Sequence, residues 1–295
     1  MKTPVFKGSC TAIITPFTND GIDYAALVRQ LDRQAAGGTK ALLVAGTTGE
    51  STTLNADEYE SLIDFCVKYV SGRMTIIAGI GGNNTADCCK KGELAARLGV
   101  DALTMTTPYY NKSTQEGIVR HFTYVADRID LPLILYNVPS RTSVGITLDS
   151  YKRLAEHPNI NGVKEASGDI SLIAKLRAYC GNNLYIWSGN DDNTVPIMSI
   201  GGLGVISVAS NVIPGEITLL CDLCLGRNFT AATEGYVKYA DLFEKLFIET
   251  NPIPVKKAME LLGLDSGLMR LPLVEMSGEA AEKLVSTMKR CEILK

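Results

Sequence analysis

Short apolar, β-branched runs recur along the chain at near-regular intervals, and stretches with helical periodicity separate them. The runs are Thr11–Pro16 (TAIITP), Ala41–Gly46 (ALLVAG), Thr75–Ile80 (TIIAGI), Ala102–Thr107 (ALTMTT), Leu133–Val138 (LILYNV), Ile160–Ala166 (INGVKEA), Leu184–Gly189 (LYIWSG) and Val205–Ala209 (VISVA). They lie about 20–34 residues apart, the spacing of strand–helix units. Apolar on both faces, they read as strands of a parallel sheet covered by helices. Between them, Tyr59, Leu62, Ile63, Cys66 and Val70 keep the 3.6-residue spacing of a helix. Asn55 with Glu58 three residues on predicts a capping box at its start. Thr85 is expected to cap the following helix and Gly99 to end it. Eight alternating pairs predict an α/β fold, a (β/α)8 TIM barrel. An open doubly wound sheet is the alternative, but it would prefer a Gly-rich phosphate loop after its first strand, and FTNDG stands there instead.

After Val208 the strand pattern stops, and EITLLCDLCLG, EGYVKYADLFEKLF, PVKKAMELLG and GEAAEKLVSTMKR read as helices. The expected organisation is a barrel catalytic domain over 1–224 and a C-terminal helical domain over 225–295 docked on it. The length of 295 residues suits this, since barrels of about 250 residues fold as one domain.

Composition narrows the function classes. The apolar share of 46% is enough to bury a large core. No apolar run approaches the ~20 residues that span a bilayer. The 29 Lys and Arg are balanced by 32 Asp and Glu, without the basic stripe that nucleic-acid binding needs. The first residues, MKTPVFKGSC, lack the apolar core of a signal peptide, so the expected location is the cytoplasm. Two His and eight Cys supply zinc sites and Ser-His-Asp chemistry poorly. The close pairs Cys88-Cys89 and Cys221-x-x-Cys224 lack the second CxxC of a zinc ribbon, and the thiols are expected to be reduced and mostly buried. His121 and His157 are expected at the surface or an interface.

In a barrel of this kind the chemistry sits at the C-terminal ends of the strands. Those ends are rich in functional groups: Thr47-Thr48-Gly49-Glu50, Tyr109-Tyr110-Asn111, Tyr136 to Arg141, Lys164, Ser188 to Asp191, and Ile206. Lys164 is the most informative, because an ammonium inside an apolar strand is costly unless paired. Burial favours its neutral amine, a nucleophile able to form a Schiff base with a ketone or aldehyde. Pairing with Glu165 is the competing explanation, but neighbours on a strand point to opposite faces. Tyr136, on the preceding strand, meets Lys164 if both face inward, and a phenol beside an amine shuttles protons. Taken alone it better fits a core tyrosine with a satisfied hydroxyl. The hydroxyls and amides of Thr47 to Glu50 suit a carboxylate, and so does the Arg141 guanidinium, although a strand-exit turn and a solvated Arg account for them as well.

The motifs GTTGE (Gly46–Glu50), TPYYN (Thr107–Asn111), YNVPSRT (Tyr136–Thr142), GVKEASG (Gly162–Gly168) and NPIPVK (Asn251–Lys256) occur in this order. With them the whole chain closely resembles the dihydrodipicolinate synthase family, a branch of the pyruvate-dependent class I aldolases. The resemblance implies condensation of pyruvate with L-aspartate-4-semialdehyde, the entry to diaminopimelate and lysine. By it, Lys164 matches the Schiff-base lysine and Tyr136 the proton donor and acceptor. Thr47 matches the relay threonine linking Tyr136 to Tyr110, and Tyr110 the tyrosine that crosses into a partner's site. Thr48 matches the pyruvate-carboxylate contact, Ile206 a main-chain contact to pyruvate, and Arg141 the residue that receives the semialdehyde carboxylate. The implied assembly is a homotetramer, a dimer of dimers. No cofactor or metal is implied, since the lysine itself is the electron sink.

Two other readings compete. A sibling aldolase for a sugar acid would share Lys164 and Tyr136, but Thr47, Tyr110 and Arg141 together favour the synthase. A keto-acid-binding barrel without turnover would need no proton relay. Lysine-inhibited members often carry His in the segment after GTTGE. Here Ala56 and Tyr59 stand there and Asp87 replaces a frequent Glu, while Ser51, Asn83 and Tyr109 still match. Feedback inhibition by lysine is expected to be weak or absent.

Overall fold

The computed structural model describes residues 2–295. Eight strands, β1 (Gly8–Ala12), β2 (Ala41–Val44), β3 (Thr75–Gly79), β4 (Ala102–Thr106), β5 (Leu133–Asn137), β6 (Ile160–Glu165), β7 (Tyr185–Ser188) and β8 (Gly204–Ser207), close into one ring in the order β1-β8-β7-β6-β5-β4-β3-β2. Every pairing around that ring is parallel. A helix follows each strand: α1 (Tyr24–Ala36), α2 (Ala56–Val70), α3 (Thr85–Leu98), α4 (Gln115–Ala126), α5 (Leu148–Ala155), α6 (Ile170–Cys180), α7 (Thr194–Ser199) and α8 (Pro214–Leu225). The (β/α)8 barrel is therefore as the hydrophobic pattern predicts.

The strands read as apolar throughout because both faces are buried. Ala41 and Leu43 of β2 join Cys10, Ile77, Ile134, Trp187 and Ile206 inside the barrel. Leu42 and Val44 join Leu103, Leu135, Val163 and Ile186 in the layer under the helices. Burying a side chain of this size contributes about 1.5–3 kcal/mol. The lower mouth is closed by the N-terminal segment. Phe6 stacks on Trp187 with ring centroids 4.9 Å apart, and Lys2 Nζ donates to the main-chain oxygens of Ala155, Ile160 and Asn183.

One irregularity decides which way the key lysine points. Leu133 pairs with Ile160 but Ile134 pairs with Gly162, so Asn161 is an extra residue in β6. Regular alternation counted from Ile160 would turn Lys164 toward the helices. The bulge turns it to the barrel axis instead. Asn161 is held there by bonds to Thr3 O and from Val5 N.

Three local expectations are corrected. The first run, Thr11–Pro16, overlaps only the end of β1, because polar Ser9 and Thr11 are strand residues whose outward hydroxyls bond Thr218 and Gln34. Asn84, not Thr85, caps α3 through its bond from Ala86 N, since Thr85 is already helical. The Thr85 hydroxyl meets His121 Nδ1 at 2.7 Å. His121 is only 6% exposed, so it is not a surface residue, and burial lowers its pKa to about 4. The Asn55–Glu58 capping box and the Gly99 stop form as expected.

Residues 225–295 carry α9 (Phe229–Lys238), α10 (Ala240–Lys245), α11 (Ile253–Leu261) and α12 (Gly278–Arg290). They dock on β8 and α8 through one apolar cluster in which Val205, Ile217 and Cys221 meet Leu242, Val255, Leu284 and Met288. All eight cysteines are buried and unbridged. Among the described residues, no helix is long and apolar enough to cross a membrane.

Candidate active site

Lys164 enters from β6 near the C-terminal mouth of the barrel. Gly162, two residues earlier on the same face, leaves room for the Trp187 indole, which its Cβ would approach to 2.5 Å. That indole, the cross-strand partner of Lys164 on β7, floors the site. On the other side Lys164 is the register partner of Tyr136 on β5, and its Nζ lies 4.3 Å from the Tyr136 ring centroid. Lys164 is 4% exposed and Tyr136 8%, so the contact of cation and π-face is largely desolvated, the setting in which it is strongest. Gly189 at the end of β7 admits the lysine stem, since a Cβ there would lie 3.1 Å from Lys164 Cγ.

Glu165 does not pair with Lys164, as strand alternation predicts. It points outward, where it accepts from Asn137 Nδ2 and Tyr151 Oη. One acid that the lysine influences is Asp191, buried at the exit of β7. Burial pushes its carboxyl above the usual range, against bonds from Ser207 Oγ, Ala209 N and Val208 N and the charge of Lys164.

A cavity of about 670 Å³ opens above this pair, lined by Thr48, Tyr136, Arg141, Lys164, Gly189 and Asn251 among others. Thr48 arrives on the loop after β2. There Ala45 and Glu50 adopt left-handed backbone (φ 52° and 53°), and Gly49 relieves a tight approach, since a Cβ would lie 3.1 Å from Ile13 O. The Thr15 hydroxyl donates to Gly49 O at 2.7 Å, fixing the loop against the exit of β1. Arg141 stands on the turn Pro139–Thr142 after β5 and borders both this cavity and a smaller one of about 220 Å³. Thr47 lines the smaller cavity with Thr106, Tyr109 and Arg141. Lys164, Tyr136, Thr48 and Arg141 thus share one cavity, and Thr47 lies next to it.

Two of the expected residues stand apart. Ile206 is fully buried inside the barrel, pairing with Cys10 and lying two residues before Val208, which does line the cavity. Tyr110 is 92% exposed, holds a left-handed backbone (φ 67°) and lines neither of the two cavities.

The segment between α10 and α11 adds Asn251, to which the NPIPVK motif by itself gives no role. Asn251 donates from Nδ2 to Thr48 Oγ1 at 2.9 Å, and its main-chain oxygen accepts from Arg141 at 3.1 Å. Five residues on, Lys256 is fully buried and pairs with Glu50 at 2.9 Å while also donating to Thr15 O. The spacing of NPIPVK held the signal for both, but only the tertiary fold shows what they reach.

The comparisons with known proteins agree with this geometry. The family model described as the dihydrodipicolinate synthetase family matches residues 5–291. A curated relative from Thermoanaerobacter sp. (strain X514), named 4-hydroxy-tetrahydrodipicolinate synthase, is 47% identical and covers 99% of this chain and 99% of its own. The solved dihydrodipicolinate synthase from Aquifex aeolicus superposes with a TM-score of 0.95 at 43% identity, over 98% of this chain and 99% of that one. The chloride-inhibited dihydrodipicolinate synthase from Acinetobacter baumannii, solved in complex with pyruvate, superposes with a TM-score of 0.96 at 37% identity, over 98% and 99%.

Proposed function

Because the chain belongs to the dihydrodipicolinate synthetase family, we propose that it acts as a 4-hydroxy-tetrahydrodipicolinate synthase, a lyase condensing pyruvate with L-aspartate-4-semialdehyde through an imine on Lys164. The observation that carries this reading is the buried Lys164 amine facing the Tyr136 ring beneath a cavity that also holds Thr48 and Arg141.

The chemistry follows from these groups. Once Lys164 has given up its proton, its amine adds to the keto carbon of pyruvate, and loss of water gives the imine. Tyr136 hands a proton to the departing oxygen and takes it back in later steps. The cationic imine draws electrons from the methyl group, which loses a proton and becomes an enamine. That carbon attacks the aldehyde, whose oxygen takes up a proton and becomes the hydroxyl. The amine of the second substrate then displaces Lys164 and closes the ring. The lysine supplies the electron sink, so the reaction calls for no external cofactor.

Thr48 receives the pyruvate carboxylate and Ile206 offers its main chain at the same substrate. Arg141 receives the carboxylate of the semialdehyde, which suits a guanidinium fork. Thr47 relays protons from Tyr136 toward Tyr110 of a second copy. The 92% exposure of Tyr110 supports its reaching a second copy, and the assembly of this reading is a dimer of dimers in the cytoplasm.

Arg141→Ala is the discriminating test. Loss of a charged hydrogen-bonded contact, at about 1.5–3 kcal/mol, lowers kcat/KM for the semialdehyde by roughly 10–150-fold. Loading of Lys164 with pyruvate stays intact. Loss of pyruvate loading with no selective effect on the semialdehyde overturns the assignment of Arg141.

A further inference from the structure

Behind the Tyr136–Lys164 rung, on the outer face of the barrel, the next rung of the same two strands is made by Asn137 and Glu165. Both side chains are buried, at 1% exposure each. Asn137 Nδ2 lies 3.0 Å from both carboxylate oxygens. Tyr151 of α5 donates its hydroxyl to Oε2 at 2.7 Å, and Ser167 N donates to Oε1 at 2.8 Å. Asn137 Oδ1 in turn accepts from Ile146 N at 3.1 Å. One carboxylate, with three uncharged donors, therefore ties together the ends of β5 and β6, the chain leaving β6 and helix α5. Through Asn137 it also closes the loop that carries Arg141. Tyr151 is fully buried, and burial together with the adjacent carboxylate pushes its phenol well up, which keeps it a donor.

A buried carboxylate of this kind is expensive compared with an apolar side chain of the same volume. The remaining outward positions of these strands, such as Leu135 and Val163, are apolar. The polar rung stands only beside the reactive pair. We infer that Glu165 and Asn137 are positioning residues for the imine chemistry, holding from the outer face the two strands whose inner face presents Lys164 to Tyr136. This rests on the function proposed above. Neither residue touches the reacting atoms. They act by keeping amine and phenol in a geometry where a misplacement of about 1 Å costs about a hundredfold in rate.

The test compares Glu165→Gln, Asn137→Asp and the double exchange with the wild-type protein. The readouts are thermal unfolding, kcat, KM for pyruvate, and the rate at which borohydride traps a pyruvate adduct on Lys164. Asn137→Asp sets two carboxylates against each other and is expected to lower kcat and the trapping rate together, by about a hundredfold. Glu165→Gln is expected to lower both about tenfold, because its amide can still accept one bond but now meets a donor at Asn137. KM for pyruvate stays within about twofold, since its carboxylate contacts are untouched. The double exchange restores a donor–acceptor pair and is expected to recover about tenfold over Asn137→Asp. If Asn137→Asp does not fold, Tyr151→Phe, which removes one hydroxyl and no charge, is expected to lower kcat about threefold at constant KM.

Variants that melt earlier but keep wild-type kcat and trapping rate per folded molecule overturn the inference. So does a double exchange no better than Asn137→Asp. If the wild-type protein itself forms no adduct, the proposed function fails and this inference falls with it.

Discussion

Lys164 and Tyr136 are register partners on adjacent parallel strands, and the lysine Nζ sits 4.3 Å from the tyrosine ring centroid inside the barrel. The contact depends on the bulge at Asn161, which resets the pleat of β6. The same desolvated contact sets the Tyr136 side chain beside the amine, where the proposed imine chemistry moves protons.

Removing that phenol separates packing from proton transfer. In Tyr136→Phe the ring still faces Lys164, so thermal unfolding should change little. General acid–base catalysis is lost, and kcat should fall by about 10²–10⁴-fold. Steady-state kinetics beside a melting curve check this, and unchanged kcat refutes the role of Tyr136.

Asp265 predicts a pH dependence of stability. Burial raises its carboxyl to about 6, against the pull of Lys256 and the bonds from Gly267 N and Ser266 N, and with Glu50 also raising it. A raised value means that the folded state holds the proton more tightly than the unfolded one, whose value is near 3.8. The favourable contribution is complete below pH 3.8 and is lost as pH rises to about 6. Asp265→Asn stays neutral throughout, so it should be more stable than wild type above pH 6, by up to about 3 kcal/mol. The difference should close toward pH 4. Unfolding measured across this range checks the sign.

Weak inhibition by L-lysine is the third expectation. Ser51, Asn83, Asp87 and Tyr109 line a cavity of about 210 Å³, and Lys91 lines it too. Lys91 Nζ lies 5.4 Å from the Tyr59 ring centroid, and its positive charge opposes a second ammonium in that space. Ala56 offers no side-chain donor, and Tyr59 is buried with its hydroxyl unpartnered. Activity should persist in millimolar L-lysine, and submillimolar inhibition contradicts the expectation.

Much of this was legible before the fold. The barrel could be read because strands buried on both faces leave unbroken apolar runs, and Lys164 stood out because it interrupts one. The Asn55–Glu58 box could be read because both partners lie within one turn of helix. What escaped depends on residues distant in sequence. The run Thr11–Pro16 misses the start of β1 because Ser9 is polar and its partner, Thr218, comes from another element. His121 reads from sequence as a surface or interface residue because its burial rests on packing around Thr85 and α4. The grip of Asn251 on Thr48 and Arg141 spans more than 100 residues, and no local pattern announces it.

The central claim is that Lys164 forms an imine with pyruvate. The direct measurement is to incubate the protein with pyruvate, reduce with borohydride and map the adduct by peptide mass spectrometry, with Lys164→Ala as control. One pyruvate-derived adduct is expected, on Lys164, absent from the control. No adduct on folded protein, or an adduct on another lysine, contradicts it.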